Sequence, residues 1–397
     1  MKNKLYLLVI GLGVVAMVLG LTAIAAKSSA TAEPMYRKIV VFKSGVEESV
    51  KEALINKFDG EKIKDLGLIN GKAARLTAKA EKDLVRQPGV LRIDDDVVVE
   101  ALVRNDIIAK RAPSQPAETL PWGVDRIDAE KVWAVTTGDL VKVAVIDTGI
   151  DVFHPDLKDN IKGGMSAVAY TASYNDDNGH GTHEAGIIGA IDNTIGVIGV
   201  GHQIDLYAVK VLDRRGSGYL SDIIEGLDWA ISNGMQVVNM SLGTASNILS
   251  FREAVQRVNA AGIVQVAAAG NSGGSVIYPA AYPEVIAVSA TDSSDKIASW
   301  SSRGPEVDLS APGVSIYSTY KGQIYKTLSG TSMAAPHVTG VIALMIDRKT
   351  CDYDLNGICT PAEVQQKLEA TAEDLGVVGK DNLYGAGLID AEKAIIQ

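Results

Sequence analysis

The sequence predicts an α/β protein, a largely parallel sheet with helices on both faces, preceded by a smaller α+β unit. Five short, almost wholly apolar runs, at 141–146, 206–211, 237–240, 263–268 and 285–290, read as strands buried on both faces. Longer stretches between them, 221–233 and 251–261 among them, have helical length and periodicity. Upstream of residue 102 the pattern differs, with strand-like and helix-like segments alternating at short spacing. A chain of 397 residues has room for two or three folding units.

The elements follow in order. Lys2 and Lys4 precede an apolar run over 5–26, with small residues at 23–25 and 30–32. Residues 1–32 therefore read as a cleaved secretory signal and spacer; the run is also long enough to span a bilayer, so a retained anchor is the alternative. Either places the remainder outside the cytoplasm, where disulfides are permitted. Residues 33–102 read as strand 38–42, helix 47–58, strand 73–76, helix 80–86 and strand 89–93, running into Asp94, Asp95 and Asp96. Residues 103–117, with Arg104, Lys110, Arg111, Pro113 and Pro116 and no periodicity, fit an exposed linker. The α/β body occupies 118–397, and no internal repeat is present.

Composition narrows the function. Hydrophobic residues at 47% and charged residues at 22% exclude a disordered, collagen-like or coiled-coil chain. Lys+Arg 38 against Asp+Glu 48 gives a net charge of −10, which repels nucleic acid and anionic membrane surfaces. Two cysteines, Cys351 and Cys359, are too few for a disulfide-scaffolded mini-domain or a four-thiolate zinc site.

Reactive groups in such a sheet belong at the carboxyl ends of strands, and the first buried strand ends in Ile146-Asp147-Thr148-Gly149. His180 follows in the glycine-flanked Asn178-Gly179-His180-Gly181-Thr182-His183, ahead of a helix-like 184–191. Ser332, in Gly330-Thr331-Ser332-Met333-Ala334, opens a long apolar stretch, with Pro336 expected in the first turn. A helix N-terminus offers unpaired N–H groups to a developing oxyanion. A serine hydroxyl needs a base within reach, and the base needs a carboxylate to hold its tautomer. Asp147, His180 and Ser332 supply those three roles.

These motifs, with 143–149 in full, resemble those of the subtilisin-like serine proteases, in precursor form and closest in style to secreted archaeal members. The Asp, His, Ser order is itself the known subtilisin order. The resemblance covers nearly all of the chain after the leader. It implies that Asn271, in Ala267-Ala268-Ala269-Gly270-Asn271, joins the Ser332 N–H in an oxyanion hole, and that Gly216, Ser217, Gly218 and Ser241, Leu242, Gly243 pair with an extended polypeptide substrate. Ala268, Ala269 and Gly270, with 241–243, would wall the primary specificity pocket, and 276–279 would lie near its base. No acid occurs in these segments, so an apolar or small-to-medium residue is expected before the cut, with Ile277 shortening the pocket.

By the same resemblance, 33–102 is a ferredoxin-like propeptide acting as folding chaperone and inhibitor, with the first cut between Leu102 and Val103. A calcium site is implied from Glu118, Asp156 and Asn193 with the carbonyls of Ile191, Ile195 and Val197; an ordinary turn is the alternative. A second calcium loop is read from the residues themselves: Asp352, Asp354, Asn356, Gly357, Ile358 and Glu363 follow the EF-hand spacing. Cys351 and Cys359 bracket its acidic half, and a disulfide between them would pre-order it; a plain acidic loop with free thiols is the alternative.

The expected protein is thus a secreted, monomeric, calcium-stabilised serine endopeptidase, with polypeptide substrates, its own propeptide as inhibitor, no nucleic-acid partner and no stable membrane association after leader cleavage. One position departs from the family pattern: an apolar residue usually follows His183, and this chain has Glu184. That carboxylate is expected to be solvated or paired, since burying it alone is costly. It motivates one alternative, a weakly active or inactive cell-surface binding protein on the same fold. A zinc hydrolase using His180 and His183 is the other, although their spacing lacks the i, i+4 pair of the common zinc-protease motif.

Overall fold

The computed structural model describes residues 33–102 and 115–397. The leader expected over 1–32, Val103 and most of the linker lie outside the described residues.

Residues 33–102 contribute β1 (Met35–Phe42), α1 (Glu48–Lys57), β2 (Glu61–Leu66), β3 (Gly71–Thr77), α2 (Ala78–Leu84), β4 (Val90–Asp95) and β5 (Val98–Ala101). The first four strands form an antiparallel sheet in the order β2-β3-β1-β4, the ferredoxin-like arrangement. Alternation along β1 separates two apolar faces. Val40 and Phe42 pack with Ile55, Leu76 and Leu84 beneath the two helices, while Ile39 and Val41 join the core of the larger body. Strand β2 was not foreseen, because Glu61, Lys62, Lys64 and Asp65 give it no apolar run; it is an edge strand.

The larger body continues with α3 (Trp122–Arg126), β6 (Lys142–Asp147), β7 (Ile161–Ser166), α4 (His180–Gly189), β8 (Asp205–Lys210), β9 (Ser217–Tyr219) and α5 (Leu220–Ser232). Then come β10 (Val237–Met240), β11 (Leu242–Gly243), α6 (Leu249–Ala260), β12 (Val264–Ala268), β13 (Ile286–Thr291), β14 (Leu309–Pro312), β15 (Ile316–Tyr320) and β16 (Ile324–Leu328). It closes with α7 (Thr331–Arg348), α8 (Pro361–Thr371) and α9 (Ala391–Ile396).

Seven of these strands form a parallel sheet in the order β14-β13-β12-β10-β6-β8-β7. Val143 and Val145 face the layer containing α4 and α7, whereas Ala144 and Ile146 face α5 and α6. Strand β6 lies between β8 and β10, where the strand order reverses, so its carboxyl end opens into the crevice that α/β sheets use for ligands. The two strands missed from sequence are the sheet's edges: β7 carries two glycines and β14 ends in Pro312, which only an edge tolerates.

Two helix boundaries correct the sequence reading. Helix α4 begins at His180 itself rather than at Glu184. Helix α7 begins at Thr331, so Pro336 falls in its second turn, not its first. Proline has no N–H for the carbonyl four residues back, that of Ser332; the Ser241 hydroxyl donates to it instead, at 3.1 Å.

Candidate active site

Asp147 is the last residue of β6 and is wholly buried. Its Oδ1 lies 2.9 Å from His180 Nδ1 and also accepts from Thr148 N–H at 2.7 Å. The turn that delivers His180 is built on Asp176, a residue the sequence did not single out. Its Oδ1 accepts from the N–H groups of Asn178 and Gly179, and its Oδ2 from the N–H and hydroxyl of Thr182. Four donors satisfy a carboxyl that burial pushes above its usual range. Gly181 lets α4 start hard against β6, since a Cβ there would stand 2.3 Å from the Gly149 carbonyl oxygen.

Ser332 sits in the first turn of α7, buried. Its hydroxyl is directed at two carbonyls, Leu102 and, at 3.2 Å, Ser241. His180 Nε2 has no hydrogen-bond partner among the described residues. Asn271, three residues beyond β12, donates from Nδ2 to the Leu102 carbonyl at 2.6 Å. The structure therefore brings Asp147 to His180, and brings Ser332 and Asn271 to one carbonyl oxygen.

That carbonyl belongs to the residue just after β5, which lies in the cleft as the middle strand of an antiparallel β11-β5-β9 sheet. Val99 pairs with Gly218, Glu100 with Ser217, and Ala101 N–H donates to the Gly216 carbonyl at 2.9 Å. On the other side Ala101 pairs with Leu242, Glu100 with Gly243, and Leu102 N–H donates to the Ser241 carbonyl at 3.0 Å. Both segments expected to bind substrate main chain thus hold the chain's own residues 98–102. Ala268 and Ala269 are buried at the end of β12, and Gly270 follows. Ile277 packs close to two walls: a Cβ on Gly243 would lie 2.6 Å from its Cδ1, and one on Gly270 3.4 Å from its Cγ1.

Two acids of the small unit, noticed in the sequence only as a charged run, cap helices of the large body. Asp96 Oδ1 accepts from Ser221 N–H at 2.8 Å, and its Oδ2 accepts from the Ser221 hydroxyl and pairs with Arg37. Asp94 Oδ2 accepts from the N–H and hydroxyl of Ser250, at 3.0 and 2.5 Å. Lys64 bridges to Asp222 and Glu225, and Arg92 to Glu253.

His180 and His183 do not converge. His183 Nε2 faces the carbonyls of Ile316 and Lys326, and burial lowers its pKa to about 3. The zinc reading based on that pair is corrected: His180 Nδ1 is turned to Asp147 and Glu184, whereas the His183 ring is turned to two backbone carbonyls of other segments. Glu184 is buried rather than solvated, and is paired with His180 and Asn239.

The expected calcium ligands come together in two places. Asn193 N–H donates to Glu118 Oε1 at 2.6 Å, its Nδ2 to Asp156 Oδ1 at 2.7 Å, and Val197 N–H to Asp156 Oδ2 at 3.0 Å. Residues 117–119 bridge to 195–197, so the end of the expected linker is stitched to this loop. Burial pushes the Glu118 carboxyl up, and the Asp192 and Asp156 charges add to it; burial also raises Asp156. Clustered carboxylates that repel one another suit a hard divalent cation, so this donor set fits calcium. In the second loop Asp352, Asp354 and Glu363 place one oxygen each within 4.8 Å of one another. Gly357 there adopts φ +88°, and its N–H and that of Asn356 fold onto Asp352; Asn356 Oδ1 in turn accepts from Ile358 N–H. Cys351 and Cys359 are joined in a disulfide, with Cα atoms 5.3 Å apart.

The subtilase family profile matches residues 138–387. Subtilisin E of Bacillus subtilis is 43% identical over 366 residues, covering 90% of this chain and 89% of the relative. The thermostable alkaline protease of Halalkalibacterium halodurans is 43% identical over 351 residues, covering 88% and 87%. The minor extracellular protease Epr of Bacillus subtilis is 42% identical over 323 residues, covering 80% of this chain and 48% of that protein. The chain belongs to the subtilase family. Within it, this is a subtilisin-like serine endopeptidase.

Proposed function

We propose that the chain is the precursor of a secreted endopeptidase that cuts itself after Leu102 and then hydrolyses polypeptides through an acyl-enzyme on Ser332. The observation that carries this reading is the Leu102 carbonyl oxygen held by Asn271 Nδ2 and the Ser332 hydroxyl, at the end of a strand paired on both sides in the cleft.

Ser332 Oγ adds to the Leu102 carbonyl carbon as its proton passes to His180 Nε2, and Asp147 at Nδ1 holds the tautomer and stabilises the imidazolium. The oxyanion takes hydrogen bonds from Asn271 Nδ2 and the Ser332 N–H. Collapse breaks the bond to the amine of Val103, which receives the proton from His180. Water then attacks the acyl carbonyl with His180 as base, releasing Leu102 as a carboxylate and restoring Ser332. Substrates of other proteins would enter as residues 98–102 lie, through main-chain pairing that accepts varied side chains.

After the cut, 33–102 would remain as an inhibitor, held by β5, the Asp94 and Asp96 caps and the Lys64 and Arg92 ion pairs. Calcium would be held by Glu118, Asp156 and Asn193 with the carbonyls of Ile191, Ile195 and Val197, and by Asp352, Asp354, Asn356, Ile358 and Glu363. Its contribution would be stability, since a ligand that binds only the folded state favours it. Secretion is supported by the leader-like sequence and by the extracellular relative; no helix among the described residues is long and apolar enough to cross a membrane.

The test is intact mass of the precursor beginning after the leader, beside its Ser332→Ala variant, each incubated with calcium. Cleavage at Leu102 in the wild type alone is expected. Cleavage of both would assign processing to another protease, and cleavage of neither would favour an inactive binding protein on this fold.

A further inference from the structure

The interior behind His180 holds an ionisable group for which a three-residue relay has no use, Glu184. It lies one helical turn beyond His180 on α4, wholly buried, so both side chains leave the same helix face. Its Oε1 stands 3.0 Å from His180 Nδ1, the same nitrogen that Asp147 Oδ1 meets at 2.9 Å. Glu184 Oε2 accepts from Asn239 Nδ2 at 3.0 Å. Glu184 Oε1 and Asp147 Oδ2 have no hydrogen-bond partner of good geometry among the described residues. One N–H thus faces two buried carboxyl groups, and two such carboxyls do not both ionise cheaply.

We propose that Glu184 is a positioning residue of the proteolytic reaction, a second carboxyl group on the Nδ1 side of His180 that shares one proton with the Asp147–His180 pair. The inference rests on the triad reading given above. Burial, and then the Asp147 charge, push the Glu184 carboxyl up from its ordinary value. Burial acts to lower the His180 pKa, but the Asp147 and Glu184 charges outweigh it and hold the ring well above its ordinary value.

The other groups packed around the cluster do not replace this proton. From α7, His337 is bonded at Nδ1 to the Met333 carbonyl and is lowered by burial to about 4. On α4 itself, His183 faces away toward the Ile316 and Lys326 carbonyls. From β8, Lys210 is turned to Asp177 and to the carbonyls of Thr148 and Leu212. Asp176 is occupied by Thr182 and the turn before α4. Asn239 of β10, the adjoining Ser241, and Ser318 and Thr319 of β15 are uncharged. Among the described residues, His180 is the only basic side chain within ion-pair distance of either carboxylate.

A second carboxyl that stabilises the protonated cluster raises the pH at which His180 becomes free to act as base. The acid limb of kcat/KM therefore lies at higher pH with Glu184 than without it.

The test compares the processed wild-type enzyme with Glu184→Gln and Glu184→Val, measuring kcat/KM against pH on a peptide anilide. The acid limb of both variants should move to lower pH by about one unit, the size expected for a nearby charge. A limb that stays in place overturns the proposal, since loss of packing alone lowers activity or melting temperature without moving it. A second measurement uses the Ser332→Ala chain, following the His180 ring signal by NMR. A midpoint above about 6.5 with Glu184 is expected, and an ordinary midpoint overturns the proposal even if the position-184 variants do not fold. If a fluorophosphonate does not label wild-type Ser332, the triad reading and this inference fall together; labelling with an unmoved limb removes only the role of Glu184.

Discussion

Asn271 presents its amide nitrogen to the Leu102 carbonyl oxygen because Thr331 holds the other end of the amide: the Thr331 N–H and hydroxyl both donate to Asn271 Oδ1, each at 2.9 Å. The donor is fixed before any charge develops on the carbonyl, as electrostatic preorganisation requires. Asn271→Ala should lower kcat by about 10²–10³ with little change in KM, a magnitude already known for the corresponding donor in subtilisin. Thr331→Val, which keeps the N–H but loses the hydroxyl, should show a smaller loss in the same steady-state assay. An Asn271→Ala enzyme with normal kcat would remove the oxyanion role.

Asp94 and Asp96 satisfy N–H groups that have no partner within the helix at the starts of α6 and α5, from outside the large body. Hydrogen bonds to a charged group contribute about 1.5–3 kcal/mol. Adding the 33–102 segment in trans to processed enzyme, Asp96→Ala should weaken inhibition by roughly tenfold or more. Asp94→Ala should act similarly, and unchanged inhibition constants would show that β5 alone carries the complex.

Removal of calcium should lower the melting temperature, because an ion at 100 times its dissociation constant adds about 2.7 kcal/mol to the folded state. Asp156→Asn and Asp352→Asn should each abolish part of that shift, and the double variant most of it. The Cys351–Cys359 bridge closes a short loop, for which the chain-entropy estimate is about 2–3 kcal/mol. Cys351→Ser with Cys359→Ser should therefore melt lower and bind calcium more weakly at the second loop. Chelator-insensitive melting of the wild type would rule out both sites.

Ile277 lies against Gly270 and against Gly243, which pairs with Glu100 two residues before Leu102. Ile277→Ala should open the pocket, raising kcat/KM for phenylalanine before the cut relative to leucine by roughly ten- to a hundredfold, the range for hydrophobic pocket fit. A peptide-library digest reads the ratio. Strong preference for Lys or Arg in the wild type would contradict the apolar pocket.

Much of this protein was legible in the chain. The central strands β6, β8, β10, β12 and β13 announce themselves because burial on both faces demands unbroken apolar runs. The edge strands β2, β7 and β14 do not, since an edge admits charge, glycine or proline. Asp147, His180, Asn271 and Ser332 were readable as motifs, each fixed to the end of a strand or the start of a helix. Asp176 and Asn239 carry no such local signature; their partners lie six and 55 residues away.

The α/β class, the order of the reactive residues and the unusual Glu184 are all legible along the chain, because periodicity, local spacing and residue identity need no folding to be read. That residues 98–102 fill the cleft, that Asp94 and Asp96 cap helices more than a hundred residues away, and that Glu184 faces His180 rather than solvent emerges only from the folded chain. Those outcomes depend on which surfaces meet after folding. Whether a carboxylate is solvated, paired or forced to share a proton is set by the dielectric and the partners that burial brings to it.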